Sequence, residues 1–189
     1  VTAGPTIEMI DPVRFISNKS SGKQGYEIAA QLALNDAKVT LISGPTNLHP
    51  PSGVKLIKIN SADEMYNEIK KINNLDIAFF AAAVSDFKSK KLKKEKFKKR
   101  QFFNLNLKKN IDILEVIGND KTKRPKLLVG FAAETGNVSL AKTKLRKKNC
   151  DMIIYNRITE REKIFGSDYN KISIVTKNEI KNYKRMTKV

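Results

Sequence analysis

Cysteine and histidine are almost absent from this chain, which contains one of each among its 189 residues. The single Cys150 cannot form a disulfide within the chain, and this is consistent with a reducing, cytoplasmic location. A catalytic triad is disfavoured, because His49 lies in the segment Leu48-His-Pro-Pro51 and Cys150 stands at the start of a predicted strand. We therefore expect no nucleophilic catalysis by either side chain.

Long hydrophobic runs are also missing. No stretch approaches the about 18 consecutive apolar residues of a membrane-spanning helix, and no basic-then-apolar leader precedes Val1. We therefore expect no association with a membrane, and the missing initiator Met indicates processing or excision from a longer protein. With 40% hydrophobic residues the chain can bury one substantial core, so we expect a single domain over residues 1–189.

Acidic residues are scarce: 19 oppose 37 basic residues, which gives a net charge of +18. Such a charge is typical of nucleic-acid-binding proteins, yet the lysines recur in every segment, as on solvated surfaces. The stretch from Lys88 to Arg100 differs, because only Glu95 opposes its basic residues. That concentration predicts attraction of a polyanion, and a mobile, solvated loop is the alternative.

Two known phosphate-binding motifs are lacking. The segment Ser21-Gly-Lys-Gln24 has no Ser or Thr after its lysine and no upstream glycine of a Walker loop, and no GxGxxG follows the first predicted strand. A dinucleotide-dependent oxidoreductase is therefore disfavoured.

The chain opens instead with three polar, glycine-rich turns ahead of one helix: Val1 to Thr6, Asp11 to Asn18 and Ser20 to Gly25. Gly4, Gly22 and Gly25 would permit close approach of the backbone to a ligand, and amides of turns and helix starts favour anions. We therefore predict a phosphate site here. A strand-to-helix turn with capping serines is the alternative.

Apolar runs alternate with segments of helical spacing along the chain. Strands are predicted at Val39 to Ile42, Val54 to Ile59, Ile77 to Ala81, Leu127 to Phe131, Met152 to Tyr155 and Ile172 to Val175; helices are predicted at Tyr26 to Asn35, Ala62 to Asn73, Ile113 to Gly118 and Val138 to Lys148. This alternation predicts a layered α/β fold with a mostly parallel sheet. Ligands then bind at the carboxyl ends of strands, where Ala3 to Thr6, Ser43 to Thr46, Ala82 to Asp86 and Ala132 to Thr135 are expected.

Two segments fall outside this rhythm. The alternating run Phe102 to Lys108 predicts an exposed strand with one apolar face, which a partner subunit could cover, although an ordinary edge hairpin is the simpler explanation. The polar end, Asn178 to Val189, is expected to fray or to form a short helix.

Several ordered motifs together resemble the synthetase component of the bacterial phosphopantothenoylcysteine synthase family. They are Thr2-Ala-Gly-Pro-Thr6, Ile10-Asp-Pro-Val-Arg-Phe-Ile-Ser-Asn18, Ser20-Ser-Gly-Lys-Gln-Gly25, Ser43-Gly-Pro45, Ala81-Ala-Ala-Val84 with Asp86, Glu95-Lys-Phe-Lys-Lys99 and Gly130-Phe-Ala-Ala-Glu-Thr135. The segments Ala141 to Leu145 and Lys148 to Asp151 match the family's next helix and strand. Asn110-Ile-Asp-Ile113 departs from the family's Asn-Pro-Asp-Ile, and the flavin-binding half is absent.

The resemblance implies a Rossmann-like three-layer fold with an additional dimerisation strand or hairpin. It also implies a two-step ligation, in which CTP activates 4'-phosphopantothenate as an acyl-cytidylate and L-cysteine then displaces CMP. Mg²⁺ is expected to accompany the CTP, a homodimer is expected, and a flavin-dependent decarboxylase is an expected fused or associated partner. No flavin is expected in this chain.

The resemblance also assigns catalytic roles. Asn18 would bind and orient the acyl-cytidylate, through amide donors that do not titrate, with Arg14 near the phosphate or carboxylate. Lys96 would be the mobile lysine that reaches the triphosphate while the Lys88 to Arg100 loop closes over the site. A surface turn is the alternative for Asn18.

The remaining roles concern binding. The residues expected to contact the nucleotide are Gly4, Phe80, Ala81, Ala82, Asp86, Lys96, Ile111, Asp112, Ile113, Leu114, Phe131, Lys144 and Lys148; those expected to contact the acid substrate are Asn18, Ser20, Ser21 and Gly22. The alternatives are an N-cap for Asp86, core packing for Phe131 and a solvated basic face for Lys144 and Lys148. No cluster of carboxylates identifies metal ligands.

A different class of function remains as the alternative. The chain could be a basic nucleic-acid or protein-interaction module on a degenerate nucleotide-binding fold. Salt-dependent retention on DNA would favour that module, whereas cysteine-dependent pyrophosphate release from CTP and phosphopantothenate would favour the ligase.

Overall fold

A computed structural model describes residues 1–98, 104–158 and 167–188. Fourteen strands and four helices occur in these ranges. In chain order they are β1 (Thr2–Ala3), β2 (Ile7–Met9), β3 (Phe15–Ser17), α1 (Lys23–Leu34), β4 (Thr40–Ser43), β5 (Lys55–Lys58), α2 (Ala62–Lys70), β6 (Ile77–Phe80), β7 (Phe87–Ser89), β8 (Leu107–Lys109), α3 (Ile113–Gly118), β9 (Leu127–Glu134), α4 (Ser139–Lys147), β10 (Met152–Arg157), β11 (Tyr169–Asn170), β12 (Ile172–Thr176), β13 (Ile180–Asn182) and β14 (Met186–Thr187).

Eight strands form one central sheet in the order β13-β12-β10-β9-β6-β1-β4-β5. The six strands from β10 to β5 pair in parallel, whereas β12 and β13 are antiparallel additions at one edge. The predicted mostly parallel α/β sheet is thereby confirmed. Chain order reverses beside β1, because β4 and β5 lie on one side of it and β6, β9 and β10 on the other. Such a reversal leaves a crevice at the carboxyl ends of the strands.

Helices cover both faces of this sheet. On one face, Tyr26 and Ala29 of α1 pack with Ala3 and Leu41. On the other face α2, α3 and α4 cover a larger core that includes Ile42. Leu41 and Ile42 are adjacent in one strand and point to opposite faces, as the period of a strand requires. Three layers result, as predicted.

The start of α2 shows how a buried charge is accommodated. Ser61 caps this helix by accepting a hydrogen bond from the Glu64 amide at 3.2 Å. The carboxylate of Glu8 in β2 is buried and accepts a hydrogen bond from the Ala62 amide at 2.9 Å. A carboxylate at a helix N-terminus is favoured by the helix dipole, so Glu8 ties β2 to α2.

Two hairpins extend beyond the central sheet. Strands β2 and β3 pair antiparallel, although no strand was predicted at either place and β3 lies within the predicted turn Asp11 to Asn18, and β7 pairs antiparallel with β8. Strand β8 covers the end of the predicted exposed strand and continues one residue beyond it, to Lys109; Phe102 and Phe103 lie outside the described residues. The edge hairpin is therefore present, and strand β2 packs against β7.

The expectation for the polar end of the chain is wrong. Residues Ile180–Asn182 form a strand on the sheet edge beside β12, and Met186–Thr187 pairs with Tyr169–Asn170. A polar sequence carries no apolar period, but the open edge of β12 offers backbone partners that stabilise it. No helix in the ranges 1–98, 104–158 and 167–188 combines the length and apolar character needed to cross a bilayer.

Candidate active site

A cavity of about 520 Å³ opens at the carboxyl ends of the parallel strands, beside the reversal at β1. Its walls come from the start of α1, the loop after β6, the start of α3, the ends of β9 and β10, and the C-terminal strands. The lining residues are Thr2, Asn18, Ser20, Ser21, Gly22, Lys23, Gln24, Phe80, Ala81, Ala82, Ala83, Val84, Ser85, Asp86, Asn110, Ile111, Asp112, Ile113, Leu114, Phe131, Ala132, Ala133, Lys144, Lys148, Asn156, Ile158, Asn170 and Lys188.

All residues predicted to contact ligands are in this lining except Gly4, Arg14 and Lys96. Two of the four predicted loops contribute to it, namely 82–86 and 132–135. The loops 3–6 and 43–46 do not, because Gly4 and Gly44 face each other: a Cβ on Gly4 would lie 2.9 Å from Gly44 O.

The first wall is the start of α1, a helix of 12 residues. Gly22 is its N-cap at φ +80°, no side chain caps the helix, and its first turn contains no acidic residue. The hydroxyls of Ser20 and Ser21 accept hydrogen bonds from the Gly22 and Lys23 amides at 3.3 and 3.4 Å. Because its dipole is uncompensated by an acidic side chain, this helix start favours an anion.

Two glycines of the opening motifs are packed closely against other residues of the protein. A Cβ on Gly22 would lie 2.6 Å from Thr46 Cγ2, and one on Gly25 would lie 2.6 Å from Ala3 Cβ. Gly25 is inside α1, where it permits close contact with β1. Gly22 also lines the cavity, whereas Gly4 and Gly25 lie outside its lining.

Asn18 joins two walls of the cavity. Its Nδ2 donates hydrogen bonds to the carbonyl oxygens of Ala83 and Val84, each at 3.1 Å. Both amide donors are thus engaged with the loop after β6, and they are not free to hold a substrate oxygen as the sequence predicted. This contact places Asn18 at the mouth of the loop that leads to Asp86.

The wall formed by the start of α3 is fixed by three hydrogen bonds. The Asn110 amide donates to Asp86 O at 2.8 Å, Asn110 Oδ1 accepts from the Ile111 amide at 3.0 Å, and Asp112 caps the helix by accepting from the Glu115 amide at 3.1 Å. Asp86 itself precedes β7 and caps no helix, so the N-cap interpretation of this residue is excluded.

Lys144 and Lys148 lie on the same side of α4 and both reach the cavity, as their spacing predicted. Each is ion-paired: Lys148 Nζ lies 3.0 Å from Asp112 Oδ2, and Lys144 Nζ contacts Glu134. Phe131 is half-buried in β9 and exposes part of its ring to the cavity. Core packing alone therefore does not account for Phe131.

Arg14 and Lys96 lie outside the cavity lining. The buried carboxylate of Asp11 binds both Arg14 and the backbone of Phe97, next to Lys96. Asp11 Oδ1 accepts hydrogen bonds from the amides of Val13 and Arg14, both at 2.8 Å. Asp11 Oδ2 accepts from Arg14 Nη1 at 2.8 Å and from the Phe97 amide at 3.2 Å. Arg14 Nη2 in turn donates to Phe97 O at 3.4 Å. The segment that carries Lys96 is thus tied to the β2–β3 hairpin.

Burial raises the pKa of the Asp11 carboxyl, but these backbone hydrogen bonds and the charge of Arg14 outweigh burial and lower the pKa below its usual value. Asp11 is therefore ionised at neutral pH although it is fully buried.

The C-terminal wall was missed by sequence reasoning. It contributes Asn156, Ile158, Asn170 and Lys188, and Asn170 Nδ2 donates to Gln24 Oε1 at 3.3 Å. No signal in the polar sequence indicated it, because β11 and β14 contain two residues each and exist only by pairing with one another.

An ion pair and a further lysine lie beside this wall. Lys23 Nζ pairs with Asp168, which raises the pKa of Lys23 and lowers that of Asp168, chiefly through the hydrogen bond between them. Burial and the charge of Lys23 lower the pKa of Lys188. The α1 end of the cavity is therefore rich in cationic groups.

Cys150 takes no part in this chemistry. Its side chain is buried, and burial raises the pKa of its thiol to about 12. Across residues 1–98, 104–158 and 167–188 no three His, Cys, Asp or Glu side chains gather as a metal site.

Comparisons with known proteins agree on the whole chain. Residues 1–189 match the family model described as the DNA/pantothenate metabolism flavoprotein C-terminal domain. A coenzyme A biosynthesis bifunctional protein CoaBC of Borreliella burgdorferi is 45% identical over 193 residues, covering 100% of this chain and 48% of that protein. A cysteine/cysteine sulfinic acid decarboxylase of an unknown prokaryotic organism is 42% identical over 193 residues, covering 100% of this chain and 54% of that protein.

A solved structure agrees as well. The crystal structure of the C-terminal domain of a CoaBC bifunctional protein is similar with a TM-score of 0.81 and 38% identity, over 99% of this chain and 85% of that one. The chain thus spans about half the length of the curated relatives that it matches. Because the family model covers every residue, the chain belongs to the family of the DNA/pantothenate metabolism flavoprotein C-terminal domain.

Proposed function

We propose that this chain is a ligase that joins 4'-phosphopantothenate to L-cysteine in coenzyme A biosynthesis, through an acyl-cytidylate made from CTP. One observation carries the proposal: a single cavity combines lysines on two walls with a helix start that has no side-chain cap and no acidic residue in its first turn. These are the groups that two anionic substrates need in order to approach each other.

The names of the relatives alone do not choose this activity, since one is a biosynthetic bifunctional protein and another a decarboxylase at similar identity. The cavity supports ligation because its charged groups suit phosphates. The Borreliella burgdorferi relative is called bifunctional, which supports a second activity elsewhere in a longer or associated protein. We propose that this second activity is the flavin-dependent decarboxylase. The cytoplasm is the proposed location, in line with the unpaired Cys150.

The start of α1 suits the phosphate of phosphopantothenate. Ser20, Ser21 and Gly22 surround it, and Lys23 begins the helix. A helix N-terminus with no acidic residue in its first turn favours a phosphate through the helix dipole. The acid at the other end of the substrate would then extend toward Asn18.

The opposite wall suits the nucleotide. The end of β6, Phe80 to Ala82, and the ring of Phe131 form the apolar part for the base, while Lys144 and Lys148 face the triphosphate. Their present ion pairs are part-exposed, with the side chains of Lys148 and Asp112 20% and 42% exposed. Such pairs contribute about 0–1 kcal/mol, so a triphosphate can displace them at small cost. The backbone of residues 111–114 lies beside this position.

The first chemical step joins the two anions. A carboxylate oxygen of phosphopantothenate forms a bond to the α-phosphorus of CTP, and pyrophosphate leaves with the electron pair of the broken bond. Lysines and backbone amides offset the repulsion between the reacting anions. In the second step the amine of cysteine displaces CMP and forms the amide.

Lys96 needs a movement to act. It is exposed on the segment 88–98, outside the cavity lining. We propose that this segment closes over the nucleotide and brings the ammonium to the triphosphate, while the Asp11 and Arg14 contacts anchor it at Phe97. A flexible lysine can follow a phosphate group through two steps, since its charge is not fixed in one geometry.

We propose that Mg²⁺ enters with the nucleotide. Of the described lining residues only Asp86 and Asp112 carry carboxylates, and Lys148 already pairs with Asp112. This donor set does not form a protein cage, so phosphate oxygens and water would supply most of the ligands. Bound there, the ion would neutralise charge on the triphosphate.

We also propose a homodimer formed through the two hairpins. Their exposed apolar side chains form one region, because β2 packs against β7. This hairpin face consists of Met9, Val13, Phe15, Phe87, Leu92, Leu105 and Leu107, each 37–65% exposed. Covering such a patch with a second copy would remove it from water.

The experiment measures pyrophosphate release with phosphopantothenate and each nucleoside triphosphate in turn, with and without cysteine. CTP with the acid should release pyrophosphate, cysteine should convert this into sustained turnover, and ATP should be inferior. Absence of pyrophosphate release together with salt-dependent retention on DNA would favour the nucleic-acid module instead.

Asn18→Asp tests the residue role within that assay. An aspartate cannot donate to Ala83 O and Val84 O and adds a negative charge near the phosphates, so both half-reactions should fall about 100-fold. Asn35→Asp, on the exposed turn after α1, is the matched control and should retain activity. Intact half-reactions in Asn18→Asp would contradict the role of this residue and leave the reaction itself unaffected.

A further inference from the structure

Two asparagines on the C-terminal wall have oxygen atoms with no hydrogen-bond partner. Asn156 in β10 and Asn170 in β11 are 8% and 7% exposed, and the Oδ1 atom of each is buried without a partner in the structure as described. Buried polar atoms are almost always paired in folded proteins. Both residues line the same cavity, so a ligand bound there could supply the missing donors.

The fold brings the two amides to one place. Asn156 is in β10 and Asn170 is in β11, and both residues line the same cavity. The bond from Asn170 Nδ2 to Gln24 Oε1 turns the Asn170 amide toward α1 and orients its oxygen.

The chemistry of the wall limits what can bind. Two uncharged acceptors require a ligand with N–H or O–H donors, while Lys23 and Lys188 nearby disfavour a second fixed cation. Among the three substrates of the ligase, cysteine carries the amine that must present its lone pair to the acyl carbon. Its N–H groups are then free to donate to protein acceptors.

We propose, on the basis of the ligase activity proposed above, that Asn156 and Asn170 form the amino-acid subsite, where their carboxamide oxygens accept hydrogen bonds from the amine of cysteine. They are positioning residues. The amine nitrogen forms the bond to the acyl carbon, the bond from that carbon to the phosphate oxygen breaks with its electron pair leaving on CMP, and the surplus proton of the amine passes to water.

Amides suit this task better than carboxylates. A carboxylate would favour the ammonium form of cysteine, whose lone pair is occupied by a proton and cannot attack. A neutral amide oxygen directs the amine without stabilising that charged form. The cations on the same wall also favour the uncharged amine.

Asn156→Ala and Asn170→Ala separate this role from others when the two half-reactions are measured apart. The cysteine-independent pyrophosphate burst from CTP and phosphopantothenate should stay within about twofold of wild type, while the KM for cysteine rises about tenfold, the effect of one lost hydrogen bond. Thermal unfolding of each variant reports separately whether the protein is folded. Asn182→Ala, an exposed asparagine on β13 of the same sheet, is the matched control and should change neither quantity.

Asn170→Asp gives a second, opposite signature. Its carboxylate should lower the KM for cysteine and lower kcat, because it binds the ammonium form. The proposal is overturned if the burst falls in parallel with turnover, which would place these amides on phosphopantothenate or CTP, or if the KM for cysteine is unchanged. A wild-type protein with no burst at all would instead refute the ligase activity, before any variant is compared.

Discussion

The central sheet and the two hairpins of this chain differ in how far they bury their apolar side chains. Leu41 and Leu128 in the sheet are fully buried under helices of the same chain, whereas Val13 and Phe15 on the β2–β3 hairpin are 56% and 51% exposed. The sheet is therefore complete by itself. The β2–β3 hairpin also contains Arg14 and contacts the segment with Lys96 through Phe97. Two residues with predicted catalytic roles thus belong to a region with exposed apolar side chains, and both lie outside the cavity lining.

The largest expected effect concerns the region beside the hairpins. Lys96→Gln should lower cysteine-dependent turnover about a thousandfold, because a cation that stabilises the reacting phosphate is lost, while the unfolding transition is unchanged. Steady-state pyrophosphate release measures this. Lys98→Gln is the matched control on the same segment, and equal losses in both variants would show that overall charge rather than Lys96 is responsible.

In the sheet, the expected effect is on stability. Leu128→Ala should lower the free energy of unfolding by about 2–5 kcal/mol, since it leaves a cavity in a fully buried part of the core. Leu34→Ala, 75% exposed on α1, should change it by less than about 0.5 kcal/mol. Urea unfolding of both variants measures the difference, and similar values would contradict the assignment of Leu128 to the core.

Substitutions on the hairpin face should weaken the dimer rather than the folded state of each subunit. The double variant Phe15→Ser with Leu107→Ser should weaken the dimer at least about tenfold, because two large apolar side chains leave the interface. Sedimentation over a range of concentrations measures this, with Leu34→Ser as the control outside the face. A wild-type protein that is monomeric at micromolar concentration would refute the dimer.

The smallest expected effect is on the pH dependence of stability and depends on Asp11. Its pKa is lowered in the folded protein, so its contribution to stability is present above its unfolded pKa, near 3.8, and is lost as the pH falls through the lower folded value. Asp11→Asn should therefore reduce the loss of stability between pH 5 and about 2. Urea unfolding across that range measures it, and Asp36→Asn on an exposed turn is the control. An unchanged acid response in Asp11→Asn would contradict the ionised state.

Sequence reasoning succeeded where a local pattern suffices. The six predicted strands of the parallel sheet and its edge lie within a few residues of their predicted bounds, as do the four helices, because burial on one or both faces imposes a visible period. Most residues that the family resemblance predicted to bind ligands line the cavity, because the ordered motifs, such as Ser20 to Gly25 and Ala82 to Asp86, can be recognised from the sequence alone. The C-terminal wall with Asn170 was not found, since its short strands have no period of their own.

What the sequence determined by itself is the α/β layering, the family and the residues at the ends of the parallel strands, since apolar periods and ordered motifs are local properties of the chain. Only the tertiary structure decided that Arg14 binds Asp11 and Phe97 instead of lining the cavity. It also decided that the amide donors of Asn18 bond to Ala83 and Val84. The placement of Asn156 and Asn170 in the lining of one cavity likewise depends on the fold. The physical reason is that a hydrogen-bonding side chain takes its role from the partners that folding brings near it, and those partners lie up to 83 residues away along the chain.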